Sequence, residues 1–146
     1  MYCFQCEQTA RTESTVGCST AKGVCGKDEA TADLQDLLVH LLKGIGQYST
    51  RLHALGQPDA AADHFIRYGL FTTLTNVNFN RARFVELIAE AARIRDRVRA
   101  AYEAAAPDAA PLTGPAAFQP AADLAGLLQQ SSPASVRAGI ELVGED

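Results

Sequence analysis

Residues 31–55 read TADLQDLLVHLLKGIGQYSTRLHAL. Leu34, Leu38, Leu41, Ile45, Tyr48, Leu52 and Leu55 recur at steps of three and four, which lines them up along one side of an α-helix. Leu37 and Leu42 widen that stripe. Asp28 or Thr31 suits the N-cap, and Asp33 and Asp36 suit the positive end of the helix dipole. Gly56 followed by Pro58 stops the helix. Gly44 and Gly46 weaken its interior, so each is expected to admit close approach by a neighbouring helix or by the loop before it.

Working outward, Pro58 is placed to open a second helix running to about Leu74, with Phe65, Ile66, Leu70, Phe71 and Leu74 as its buried side. Asn76-Val77-Asn78-Phe79-Asn80 breaks the period and supplies a cap. A third helix is expected from about Arg81 to Ala105, with Phe84, Leu87, Ile88, Ala91, Ile94, Val98 and Tyr102 as its apolar stripe. The pattern predicts an all-α fold, with an antiparallel three-helix bundle over residues 31–105. Residues 1–30 are expected to be a cysteine-rich, metal-binding loop. Residues 106–146 form a Pro/Ala-rich segment: Pro107, Pro111, Pro115 and Pro120 mark a linker or extended cover. Short helices are expected near Ala122–Gln130 and Pro133–Val143, and the segment reads as leading into further domains. No internal repeat is present.

The chain has 146 residues, enough for one domain that buries about 70% of its unfolded surface. Hydrophobic residues make up 47% and charged residues 21%, a globular composition. A net charge of −4 argues against a nucleic-acid binder, which needs a basic face for the phosphates. No apolar run approaches the roughly 18 residues of a spanning helix, so no membrane role is expected. Met1-Tyr2-Cys3 does not open a basic-then-apolar leader, and a cytoplasmic location is expected.

That compartment changes what the cysteines mean. All four, Cys3, Cys6, Cys18 and Cys25, fall in the first 25 residues, and clustered thiols in a reducing compartment bind metal or carry redox chemistry. Their spacing is C-x2-C-x11-C-x6-C. The first pair is a chelate knuckle; the second sits on the glycine-bearing loop Gly17 to Gly26. Soft thiolates suit zinc or an iron–sulfur cluster. A structural zinc site usually repeats the short knuckle, whereas the looser second spacing suits a cluster, whose irons need ligands spread around them. Both remain open on spacing alone, as do disulfides. Gly17, Gly23 and Gly26 would let backbone N–H groups approach the sulfurs, and Lys22 and Lys27 would add positive charge; both raise a cluster's potential. Tyr2 and Phe4 flank Cys3 and are expected to shield the cluster from solvent.

Cys3-Phe4-Gln5-Cys6-Glu7-Gln8-Thr9, Gly17-Cys18, Gly23-Val24-Cys25-Gly26-Lys27, Asp33-Leu34-Gln35-Asp36-Leu37-Leu38 and Thr73-Leu74-Thr75-Asn76-Val77-Asn78-Phe79 together closely resemble the N-terminal region of hybrid cluster proteins. These are also called prismane proteins or hydroxylamine reductases, and are relatives of nickel–iron carbon monoxide dehydrogenases. The resemblance is clear over residues 1–105 and thinner across the Pro/Ala segment. It implies that Cys3, Cys6, Cys18 and Cys25 ligate the family's proximal cluster, which passes electrons to a separate iron–sulfur–oxygen hybrid cluster. The x11 and x6 spacing resembles the family's [2Fe–2S] version, with [4Fe–4S] as the alternative. It further implies an oxidoreductase that reduces hydroxylamine to ammonia, with nitric oxide reduction also attributed to the family. A redox partner such as an NADH-linked flavin/iron–sulfur reductase is implied as well. No cysteine follows Cys25, so the hybrid cluster is not buildable here; its domains are expected to be missing, and this chain alone is expected to be inactive. A zinc-stapled helical interaction module is the alternative.

Other residues invite plainer readings. His40 falls with Asp36, Lys43 and Gln47 on the polar side of the first helix, and His53 lies near Ser49 and Thr50; solvated surface is expected for both histidines. His64 is expected at the core edge. Asp33 and Asp36 are explained by helix electrostatics rather than acid–base catalysis, and Glu7 by hydrogen bonds to loop amides. Arg81, Arg83, Arg93, Arg95, Arg97 and Arg99 interleave with Glu86, Glu90, Asp96 and Glu103, which reads as a solvated or domain-facing surface.

Overall fold

In the computed structural model, which describes residues 10–11, 16–17, 22–74 and 77–131, the leucine-rich segment forms one helix, α1, Glu29–Ala54. Of the two candidate caps, Asp28 serves: its carboxylate accepts the Thr31 N–H at 2.9 Å. Gly56 ends the helix at a φ of 71°, in the left-handed region glycine tolerates, while the N–H groups of Gly56 and Gln57 donate back to the carbonyls of His53 and Leu52.

The second helix, α2, spans Ala60–Thr73, and its cap is Asp59, which accepts the Ala62 N–H. Pro58 therefore lies before the cap instead of in the first turn. The aspartate wins because its carboxylate satisfies an N–H that would otherwise be orphaned, which a proline ring cannot do. The third helix, α3, spans Arg81–Ala105, capped by Asn80 through the N–H groups of Ala82 and Arg83. A 3-10 helix at Gly114–Ala117 and a short helix α4, Leu124–Ser131, follow. The helix expected at Pro133–Val143 and residue Asn76 of the expected break lie outside the described residues.

Among the described residues the fold is mostly helical, in keeping with an all-α chain. Among the described residues the strands are two short segments, β1 (Ala10–Arg11) and β2 (Val16–Gly17), antiparallel with Ala10 opposite Gly17. Contacts at both ends set the helix directions. Arg81 at the start of α3 pairs with Asp28 at the start of α1, and the Tyr48 and Tyr102 rings meet at 5.9 Å towards their far ends, so α1 and α3 run the same way. Asp59 before α2 meets Arg97 late in α3, while the end of α2 meets Lys27 just before α1, so α2 runs the other way. No helix among the described residues is long and apolar enough to cross a membrane.

The core runs along α1, against which α2, α3, α4 and the 3-10 helix all pack. Leu34, Leu37, Leu38, Leu41, Ile45 and Leu52 are buried against Phe65, Phe84, Leu87, Ile88 and Val98. Each such leucine contributes about 1.5–3 kcal/mol relative to an exposed one. The α3 stripe lies largely as its periodicity predicts, with Ile94 and Tyr102 at its partly covered edge.

Several expectations from pattern alone are overturned. Every residue from Thr31 to Leu38 is buried, including Asp33 and Asp36, whose burial the pattern does not show. The polar side of α1 is roofed by the Pro/Ala segment. Gln47 Oε1 accepts the Ala116 N–H at 3.0 Å, and the His40 ring meets Phe118 edge-on at 5.0 Å. His40 is thus half-covered, and burial, then Lys43, pushes its pKa below the usual imidazole value. Gly44 makes the roof fit: a Cβ there would sit 2.3 Å from the Pro115 carbonyl oxygen. Gly46 has no such neighbour within 4 Å, so its expected close approach is absent. Arg95 is fully buried instead of solvated, donating to Asp96 and to Gln119 of the covering segment. His64 is exposed, and so are Leu70, Phe71 and Leu74 of the expected α2 stripe; only Phe65 of that set is fully buried.

Candidate metal centre

Cys25 is the one predicted ligand among the described residues; Cys3, Cys6 and Cys18 lie outside them, as do Tyr2, Phe4 and Glu7. It carries a free thiol at intermediate exposure, beside the exposed Val24. The turn around it is tight. Gly26 N–H donates to Gly23 O at 2.8 Å, Gly23 N–H donates to Lys27 O at 2.7 Å, and Lys22 pairs with Asp28 as an antiparallel bridge. Gly26 has a φ of 92°, which a side-chain-bearing residue adopts only with strain. Asp28 then caps α1, so the Cys25 turn is fastened directly to the start of the longest helix.

Gly17, the residue before Cys18, is held opposite Ala10, four positions after Cys6. Among the described residues no group of three His, Cys, Asp or Glu side chains gathers as a metal site. The donor that is described fits a thiolate-bound group: a free sulfur, partly reachable, on a glycine turn.

Lys27 is a feature whose placement sequence reasoning missed. Expected as a charge near the cluster, it is 2% exposed. Its Nζ donates to Gln35 Oε1, to Thr73 O at 3.0 Å and to Leu74 O at 3.2 Å, and it lies 5.9 Å from the centre of the Phe79 ring. The only sequence signal was the joint presence of Gly26-Lys27 and the Thr73–Phe79 stretch, which nothing local connects.

The remaining candidates are structural. Ser49 and His53 on α1 both bond Asp63 on α2, the hydroxyl donating to the carboxylate. Asp63 sits between them, so the serine has no imidazole base; the trio clips the helices together. The Ser49 hydrogen bond, then that of His53, lowers the Asp63 pKa. On α3, Arg81, Arg83, Arg97 and Arg99 pair with Asp28, Glu86, Asp59 and Glu103, which accounts for their charge without a nucleic acid.

Residues 1–132 match the Prismane/CO dehydrogenase family over nearly the whole chain. The chain belongs to that family. Relatives named hydroxylamine reductase agree with the assignment. The protein of that name from Acidiphilium cryptum is 68% identical, that from Burkholderia ambifaria 58%, and that from Acidithiobacillus ferrooxidans 52%. In each case the match takes in 100% of this chain and 27% of the relative, so the chain spans about a quarter of the length of the relatives it matches. The name hydroxylamine reductase denotes an oxidoreductase. Prismane-family membership implies iron–sulfur cofactors in general and gives the cysteine-rich start of this chain its chemical context.

Proposed function

We propose that this chain is an iron–sulfur electron-relay domain of a longer hydroxylamine-reducing enzyme. Cys3, Cys6, Cys18 and Cys25 would hold a [2Fe–2S] cluster, with [4Fe–4S] as the alternative. The observation that carries the reading is the free Cys25 thiol on its glycine turn, the last member of a C-x2-C-x11-C-x6-C array in a prismane-family chain. When bound, such a cluster supplies one-electron exchange. The Gly23–Lys27 turn presents the Cys25 sulfur, and Asp28 anchors that turn to α1. Reduction of hydroxylamine to ammonia and water consumes two electrons and two protons. The electron source would be a reductase of the NADH-linked flavin/iron–sulfur class, and the hybrid cluster would belong to domains outside this chain.

Anaerobic reconstitution followed by iron, sulfide and zinc analysis tests the reading. The expected product is coloured, bleaches with dithionite and gives an EPR signal on reduction. A colourless protein holding one zinc would replace the relay with a zinc-stapled interaction module.

A further inference from the structure

We infer that Lys27 is a positioning residue for the candidate cluster site: it locks the Cys25 turn to the C-terminal end of α2, and its buried charge tunes the reduction potential of whatever Cys25 ligates. The inference rests on the cluster reading above. Lys27 acts at both ends of its own structure. Its backbone carbonyl accepts the Gly23 N–H and so closes the turn that contains Cys25. Its side chain runs inward to three acceptors, Gln35 Oε1 on α1 and the Thr73 and Leu74 carbonyls. An ammonium has three protons to give, and these acceptors lie within their reach.

The chemistry of the acceptors favours a cation at this point. Carbonyls at the end of a helix lack intrahelical donors and carry partial negative charge. The Phe79 ring adds the negative face of its π system. A neutral side chain in the same place would take this donor from the buried Gln35 Oε1 and Thr73 carbonyl, at a desolvation cost, while the Leu74 carbonyl would keep the Val77 N–H at 3.3 Å. Two stretches of sequence that lie far apart, Gly23–Lys27 and Thr73–Phe79, are thereby joined at one ammonium. Lys27 follows Cys25 by two residues along the chain, and a fixed positive charge near a thiolate ligand stabilises the reduced, more negative form of a cluster and raises its potential.

The test compares the wild-type chain with Lys27→Met and Lys27→Arg, metal-free and reconstituted. In the metal-free chain, amide exchange at Gly23 and Gly26 is expected to speed up about tenfold or more in Lys27→Met, while core amides of α3 stay protected. In the reconstituted chain, Lys27→Met is expected to shift the reduction potential downward and change the EPR line shape, with Lys27→Arg restoring much of the potential. If Lys27→Met does not fold, the wild-type chain still decides the clamp: its Lys27 ammonium protons should exchange slowly enough for direct detection by NMR. Rapid ammonium exchange, or a Lys27→Met protein with wild-type amide exchange and potential, overturns the inference. A wild-type chain that assembles no cluster overturns the relay reading instead, while the amide exchange separately reports on the clamp.

Discussion

Asp28 joins the starts of two helices through one carboxylate. It caps α1 through the Thr31 N–H and pairs with Arg81 at the start of α3. The Arg81 hydrogen bond, then that of Thr31, lowers its pKa from 3.8 to about 2. Because the folded value lies below the unfolded one, the stability Asp28 contributes is fully present above pH 3.8 and is lost as pH falls through about 2. The side chain is 35% exposed, so solvent screens the ion pair and the cap carries most of the effect. Asp28→Ala is therefore expected to cost about 1 kcal/mol at neutral pH. Asp28→Asn, which keeps a capping oxygen, should cost less. Urea unfolding measures both, and the wild-type advantage over Asp28→Asn should vanish as the pH approaches 2. An Asp28→Ala midpoint equal to wild type would refute the capping role.

At the scale of elements, α1 and the Pro/Ala segment form a matched pair. The segment lies flat on α1 because Gly44 leaves room for the Pro115 carbonyl and Gln47 offers an acceptor to Ala116. Gly44→Ala would place a methyl carbon 2.3 Å from a backbone oxygen, so the segment must lift. The expected cost is about 1–3 kcal/mol, with faster proteolysis over residues 106–120. Gly46→Ala, two residues along the same helix, meets nothing within 4 Å. It should instead stabilise the chain by up to about 1 kcal/mol through helix propensity. Equal denaturation midpoints for the two variants would mean that the roof does not press on α1. His40 belongs to the same contact: half-covered by Phe118, it is a histidine whose charged form the fold disfavours.

Across the described residues, the apolar core and Cys25 are separate. Among the described residues, the buried cluster draws on α1, α2, α3, Ala116 and Leu127, and Cys25 is not part of it. Cys25 sits at the edge, on the turn before α1. A chain with Cys3, Cys6, Cys18 and Cys25 all changed to Ser is therefore expected to keep its helical circular dichroism and melt cooperatively, while binding no iron. Loss of helicity in that variant would mean that the metal centre holds the bundle together, as in proteins whose metal binding is their folding energy.

The helices were legible in the sequence because their signals are local. A period of three and four, an Asp or Asn cap and a terminating glycine act within a few residues; the period and Asn80 give the start of α3 at Arg81, and Gly56 ends α1. The cysteine array is local in the same sense: residue type and spacing are properties of one short stretch. The faces of the helices were another matter. Periodicity identifies an apolar stripe but not what covers the opposite side, so His40 read as solvated and Arg95 as solvated or domain-facing, although the Pro/Ala segment covers both. The error ran the other way for Leu70, Phe71 and Leu74: the buried face of α2 runs through Ala62, Phe65, Gly69, Thr72 and Thr73 and leaves those three on the other side. What the sequence by itself determined was the three long helices and their approximate limits, along with family membership. Only the tertiary structure decided which polar groups are buried and that Lys27 ties the Cys25 turn to the end of α2. Burial and charge pairing depend on segments far apart along the chain, and no local pattern records their meeting.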